Sequence, residues 1–216
     1  MIKVKICGIS CLEDALLAAD AGADALGLIF VENTPRYVTP ARAAGIVAAL
    51  PPFVCVVGVF WDHPLDHVMA VADECGLGAV QLHGSESPDT VAASPLPVLK
   101  TVKVAGEGDL AALDRYKPAA FLLDSAARWS EGERRVPISW VLARAAAARA
   151  RVILSAGLTA ETVAEAIRVG RPWGVDVNSG VEARPGRKDP DRVRRFVRAA
   201  RAAADALADE PEVADG

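Results

Sequence analysis

The stretches AGADALGLIF (residues 21–30) and CGLGAVQLHG (residues 75–84) follow the same course: a helix end, a glycine, then a short apolar strand. Each reads as the join between a helix and the next strand of a repeating unit. Working outward from them, apolar and β-branched segments recur at residues 4–7, 25–30, 53–60, 79–83, 98–102, 120–124, 152–155 and 174–178. Most are apolar on consecutive residues instead of alternating, the pattern of parallel strands buried on both faces beneath helices.

Residues 11–21, 40–50, 64–75, 87–93, 109–116, 138–148, 159–169 and 190–207 read as the intervening helices. Thr39 with Pro40, Asp62 with Pro64, Thr159 before Glu161 and Thr162, and Asp189 with Pro190 supply start signals, a capping side chain followed by proline or an acid. Gly22, Gly76 and Gly170 supply left-handed ends. Alternating strands and helices with right-handed crossovers build an open doubly wound sheet or a closed barrel, and eight units in about 200 residues favour closure. The expected fold is α/β, a single-domain (β/α)8 TIM barrel over residues 1–204, with an acidic tail at 205–216 expected to be disordered.

The 216 residues are 52% apolar, 24% charged and 5% aromatic, which excludes a disordered chain, a collagen and a disulfide-stapled mini-domain. Lysine and arginine total 24 against 28 acids, and five acids with no base fall in the last twelve residues, so the body is nearly neutral. Such a balance makes no case for nucleic acid, and Arg192, Arg194, Arg195, Arg198 and Arg201 spread around a helix as a solvated face. The 19 uncharged residues at 43–61 are long enough for a membrane span, but Pro51-Pro52 would break a helix at its centre, and no membrane partner is expected. Cys7, Cys11, Cys55 and Cys75 form no CxxC pair and MIKVKICGIS lacks the apolar stretch of a signal peptide, so the expected location is cytoplasmic. His63 and His67 have the spacing of two ligands on one helical face without a third, and no metal is expected. No GxGxxG or Walker loop occurs, so neither a dinucleotide nor ATP is implied.

The polar residues collect at one end. Cys7, residues 32–36, His83, Asp124, residues 155–157 and residues 178–180 all fall at or just after strand C-termini, the catalytic rim of a barrel. Ala156-Gly157 after strand seven and Asn178-Ser179-Gly180 after strand eight put small residues where backbone N–H groups can meet an anion, the place of phosphate sites in barrels; ordinary turns are the plainer reading. Cys7 is either a small core residue or, with a cation near it, a base that takes a proton from carbon. Asp124 either caps the next turn or serves as a general acid, a role requiring partial burial to keep it protonated. Arg36 offers a planar fork for a carboxylate, and Asp176, inside strand eight, must face the rim or pair with a cation, for which Lys5 is the plausible partner; Lys5, His83 and Asp176 are grouped with the rim residues.

The ordered set Lys5-Ile6-Cys7-Gly8-Ile9, residues 22–27, Pro35-Arg36-Tyr37-Val38, Val57-Gly58-Val59-Phe60, Gln81-Leu82-His83-Gly84, Leu122-Leu123-Asp124-Ser125 and residues 174–182 resembles the phosphoribosylanthranilate isomerases of tryptophan biosynthesis, over residues 4–196. The resemblance implies a cofactor-free Amadori rearrangement of N-(5-phosphoribosyl)anthranilate to 1-(2-carboxyphenylamino)-1-deoxyribulose 5-phosphate. It implies Asp124 as general acid, Cys7 as general base, Arg36 on the anthranilate carboxylate, and the last two rim loops on the phosphate. Where the family has a glycine-rich run to Lys-Thr-Phe-Asp-Trp, this chain has residues 129–140, of which Trp140 alone matches, and this bears on substrate preference. Ala156 replaces a common glycine, tolerable if its φ is negative, and Asn178 replaces a frequent serine. A related isomerase of another phosphosugar amine and a catalytically silent phosphosugar-binding barrel are the alternatives. Monomer and homodimer are both left open.

Overall fold

The computed structural model describes residues 1–126 and 138–209. Eight parallel strands, β1 (Lys3–Ile9), β2 (Ala25–Ile29), β3 (Cys55–Phe60), β4 (Ala79–Leu82), β5 (Val98–Val104), β6 (Ala120–Ser125), β7 (Val152–Leu154) and β8 (Gly174–Val177), close in sequence order into a barrel. Around them run α1 (Leu12–Asp20), α2 (Pro40–Ala48), α3 (Leu65–Cys75), α4 (Pro88–Ala93), α5 (Ala112–Arg115), α6 (Trp140–Ala147), α7 (Val163–Gly170) and α8 (Pro190–Ala208). A hairpin of β9 (Glu182–Arg184) and β10 (Arg187–Lys188) lies between β8 and α8.

The consecutive apolar residues in the strands divide by parity. One set, including Val57, Ala79, Leu99, Ala120, Leu122 and Ile153, fills the barrel interior; the other, including Leu26, Leu28, Val80, Leu82 and Leu123, packs beneath the helices. Each such fully buried leucine contributes about 1.5–3 kcal/mol. Among the polar residues of the interior, Lys5 pairs in register with Asp176 across β1 and β8.

Thr39 and Asp189 cap α2 and α8 as their sequence predicts, accepting from Arg42 N and from Asp191 N and Arg192 N. Gly22 and Gly76 are left-handed. Five local expectations are corrected. The third strand starts at Cys55, because Val54 N donates to Pro51 O and the resulting turn leaves Phe53 96% exposed. Asp62 does not cap α3; it turns away at φ 53° and accepts from Ser85 N and Oγ. The seventh helix begins at Val163 because Thr162 Oγ1 accepts from Thr159 N in a preceding turn. The left-handed residue after it is Arg171 at φ 45°, not Gly170. The last helix runs on to Ala208, so residues 205–208, assigned to the tail, are helical. Residues 210–216 and most of the atypical 129–140 segment lie outside the described residues, and among those described no helix is long and apolar enough to cross a membrane.

Candidate active site

A cavity of about 330 Å³ opens at the C-terminal mouth, lined by Cys7, Arg36, Gln81, His83, Asp124 and Asp176 among others. A cavity of similar volume at the opposite mouth is lined by Val57, Ala79, Leu99 and Ala120 and includes neither Cys7 nor Asp124. The C-terminal cavity is thus where the chemistry-bearing residues meet, as in barrel enzymes generally.

Cys7 lies near the C-terminal end of β1 beside Gly27 of β2, its register partner. A side chain at position 27 would start 2.7 Å from Cys7 Sγ and 3.0 Å from Lys5 Nζ, so the missing Cβ is what admits both groups. Burial pushes the Cys7 thiol up from its ordinary value; Lys5 and Lys188 pull it down, and Asp176 opposes them. Gly8, next along, forms a bulge at φ 73°, and a Cβ there would fall 2.5 Å from Asn178 Oδ1 and 2.9 Å from Arg36 Cδ. The bulge therefore lets the second and eighth loops converge over the first strand.

Asp124 stands three strands away around the ring on β6. Its Oδ2 is ion-paired with Lys103 of β5 and lies 3.6 Å from His83 Nε2, while Oδ1 accepts from Ser125 N at 3.0 Å. The sequence reading asked for burial alone; the carboxyl group is buried but faces an ammonium. His83 Nδ1 lies 3.1 Å from Gln81 Nε2 and 3.2 Å from Thr101 Oγ1, and its ring lies 5.1 Å from that of Trp61, a half-exposed residue of the mouth.

Arg36 Nε and Nη2 donate to the two carboxylate oxygens of Glu182 at 2.8 and 2.7 Å. The planar fork is therefore turned first on a residue of the protein, and Nη1 remains as the edge for a ligand. Hydrogen bonding to Glu182 raises Arg36 above its ordinary value against the cost of burial. Burial works against the Glu182 carboxylate, yet hydrogen bonds and charge from Arg36 and Lys188 outweigh it and hold its pKa down. Lys188, wholly buried, donates to Glu182 Oε1 and to both the backbone O and Oδ1 of Asn178.

The two small-residue loops touch. A Cβ on Gly180 would fall 2.0 Å from Leu158 O, so only glycine allows the Asn178–Gly180 turn to lie against the loop that carries Ala156 and Gly157. Ala156 takes φ 69° and Gly157 φ 72°, so the condition under which the alanine would sit without strain is not met. Ser179 opens a short 3-10 turn, Ser179–Val181.

Lys5 is not a rim residue, as it was grouped by sequence, but lies one layer below, bonded through Nζ to Asp176 Oδ1 at 2.8 Å; the pairing itself is as expected. Asp176 reaches the cavity, and its Oδ2 accepts from Ser155 Oγ at 3.2 Å. Sequence reasoning missed Lys103, Gln81, Trp61, Glu182 and Lys188 as site residues. The available signal was charge within apolar context: the Glu182–Lys188 pair flanking a turn demands partners when buried.

Comparison with known proteins gives this geometry a family. The profile described as N-(5'-phosphoribosyl)anthranilate (PRA) isomerase matches residues 4–199. The chain belongs to the PRA isomerase family. The N-(5'-phosphoribosyl)anthranilate isomerase of Pelobacter propionicus is 50% identical over 201 residues, 93% of this chain and 96% of that protein. The crystal structure of phosphoribosyl anthranilate isomerase from Thermotoga maritima superposes with a TM-score of 0.88 at 41% identity, covering 94% of this chain and 100% of its own. A PRA isomerase solved in complex with reduced 1-(o-carboxyphenylamino)-1-deoxyribulose 5-phosphate gives a TM-score of 0.85 at 40% identity, with the same coverage. The (β/α)8 fold and the membership in an isomerase family thus agree with the sequence reading.

Proposed function

We propose that this PRA isomerase family member rearranges N-(5-phosphoribosyl)anthranilate to 1-(2-carboxyphenylamino)-1-deoxyribulose 5-phosphate, with Asp124 as acid and Cys7 as base. The observation that carries the assignment is that a thiol on β1 and a carboxyl on β6 line one cavity whose volume suits a small phosphosugar. The relative bound to a reduced ribulose phosphate of this type supports the substrate class.

The chemistry follows from the placement. Asp124 gives a proton to the furanose ring oxygen while the nitrogen lone pair expels that oxygen, opening the ring to a Schiff base. The carboxylate left behind is met at once by Lys103 and by Ser125 N–H, so the charge develops where donors already stand. The Cys7 thiolate then removes the C2 proton; the electron pair moves toward C1 and nitrogen, giving the enolamine that tautomerises to the ketone. Arg36 holds the anthranilate carboxylate through the donors that Glu182 does not occupy. The touching loops at Ala156-Gly157 and Asn178-Ser179-Gly180 hold the phosphate through backbone N–H groups. No step calls for a cofactor, since the Schiff-base nitrogen is itself the electron sink.

Purified protein offered phosphoribosylanthranilate should abolish its anthranilate fluorescence signature; a folded protein that leaves the signal unchanged overturns the assignment. Cys7→Ala and Asp124→Asn should each lower kcat by about 10²–10⁴-fold with little change in substrate binding. Turnover of a different phosphosugar amine in place of this substrate would move the assignment to a related isomerase. Growth of a tryptophan-requiring host that lacks only this isomerase tests substrate and reaction together.

A further inference from the structure

We propose that Lys5, oriented by Asp176, is a positioning residue that eases the ionisation of Cys7 to the thiolate, the form in which Cys7 can take a proton from carbon. The proposal rests on the reading of Cys7 as the base.

A sulfur enclosed by protein has a difficulty as a base. Taking it out of water disfavours the anion, and burial is the largest influence on this thiol, pushing it upward. A thiolate at this position therefore needs a fixed positive charge close by. Lys5 lies two residues earlier on the same strand and so projects to the same side. Its Nζ and the Cys7 Sγ both lie within 3.0 Å of the one point that a Cβ on Gly27 would fill, so the ammonium and the sulfur are close neighbours whose charges act on each other. The absence of a side chain at residue 27 thus creates a shared pocket for ammonium and sulfur.

Lys5 is itself buried, and an isolated buried lysine would shed its proton. Asp176 prevents this. Burial opposes the charge on Lys5, but Asp176 and Cys7 together push Lys5 above the ordinary lysine range, so it stays cationic. Asp176 Oδ1 takes the lysine at 2.8 Å and Oδ2 takes Ser155 Oγ at 3.2 Å, so both carboxylate oxygens are engaged within the barrel wall. Lys5 therefore neither gains nor loses a proton in turnover and has no lone pair with which to attack a sugar.

The other charges facing Cys7 are Lys188 of β10, which acts in the same sense as Lys5, Asp176 of β8, which acts against it, and Arg36 of the loop after β2. Lys188 directs its donors at Glu182 and Asn178, whereas Lys5 bonds Asp176 and lies beside the thiol. The two members of the Lys5–Asp176 pair thus bear on the sulfur with opposite signs, and that asymmetry supplies the test.

The rate of iodoacetamide alkylation of Cys7, read by peptide mass spectrometry from about pH 5 to about pH 10, reports its thiolate fraction in the intact protein; peptide mapping separates it from Cys11, Cys55 and Cys75. In Lys5→Met the midpoint should rise by about one to two pH units, the effect of removing one close charge. In Asp176→Asn it should fall, and in Lys5→Arg it should stay near that of the unaltered protein. Should Lys5→Met fail to fold with Asp176 left unpaired, the Lys5→Met/Asp176→Asn double variant carries the same expectation of a raised midpoint. With phosphoribosylanthranilate as substrate, the acidic limb of kcat/KM should move to higher pH in step with the alkylation midpoint, with KM little changed. An unmoved alkylation midpoint in both the Lys5→Met and the double variant overturns the proposal, as do shifts of the same sign in Lys5→Met and Asp176→Asn. Shifts of the expected sign in a protein that does not turn over this substrate leave the electrostatic pairing intact and overturn the proposed function instead.

Discussion

Ala156 at φ 69° pays a conformational cost where its neighbour Gly157 does not. An L-residue with a Cβ loses about 1–2 kcal/mol in the left-handed region, while glycine loses about 0.4–1 kcal/mol more entropy on folding. Ala156→Gly should therefore raise stability by about 0.5–1 kcal/mol in urea unfolding, and a drop would contradict the strain. Gly180 has no such freedom: a methyl group would lie 2.0 Å from Leu158 O and force the last two rim loops apart. Because bonds to a charged ligand contribute about 1.5–3 kcal/mol each, Gly180→Ala should raise KM for a phosphorylated substrate by about tenfold or more, measured against kcat in steady-state assays. Positions of this kind were half legible beforehand. The chain order placed residues 155–157 and 178–180 after the last two strands, but nothing local in Ser155-Ala156-Gly157 reveals the sign of φ at the alanine.

Among the elements, strands were legible because burial on both faces leaves runs of consecutive apolar residues, and helix starts were legible where a capping side chain meets proline, as at Thr39 and Asp189. The misreadings fell where a polar side chain had a nonlocal use or a turn intervened: Asp62 belongs to Ser85 of the next loop, and Thr162 to a turn before its helix. The β9–β10 hairpin was invisible for the same reason. Its Glu182 finds Arg36, 146 residues earlier, and its turn at Gly186 approaches Pro35 O so closely that a Cβ would lie 2.7 Å away. The hairpin thus braces Arg36 from behind. Removing the carboxyl group leaves a buried Lys188 and a partly buried Arg36 unpaired, so Glu182→Ala should cost about 3–5 kcal/mol. The pH dependence has a definite sign. Glu182 is held below the ordinary glutamate range, so its contribution to stability is complete above the unfolded value, about 4.3, and is lost as pH falls through its folded value. Urea midpoints taken from about pH 7 down to about pH 3 should fall more steeply in the unaltered protein than in Glu182→Gln, which has no carboxyl group to titrate. Equal slopes would remove Glu182 from the acid response.

At the scale of the whole molecule, the barrel separates what holds it closed from what reacts. The candidate site lies at the C-terminal mouth, whereas ring closure between first and last strands depends on α8, which packs on α1 and α7. Arg201 of α8 is the joint. Its guanidinium donates to Ile2 O, to Gly22 O at 3.0 Å and to Asp24 Oδ2 at 2.7 Å, and Asp24 in turn accepts from Val4 N at 2.8 Å. One side chain from the last helix thereby ties the start of β1 to the turn leading into β2, all at the N-terminal end of the barrel. Because the guanidinium keeps partial access to water, its loss should cost about 1–2 kcal/mol, less than a fully buried charged network would. Arg201→Ala is accordingly expected to lower the urea midpoint while leaving kcat/KM per folded molecule unchanged, since none of its partners lines the C-terminal cavity. A fall in kcat/KM at full occupancy of the folded state would mean that the two ends of the barrel are coupled, and that strand β1 transmits a displacement at Ile2 and Val4 up to Cys7.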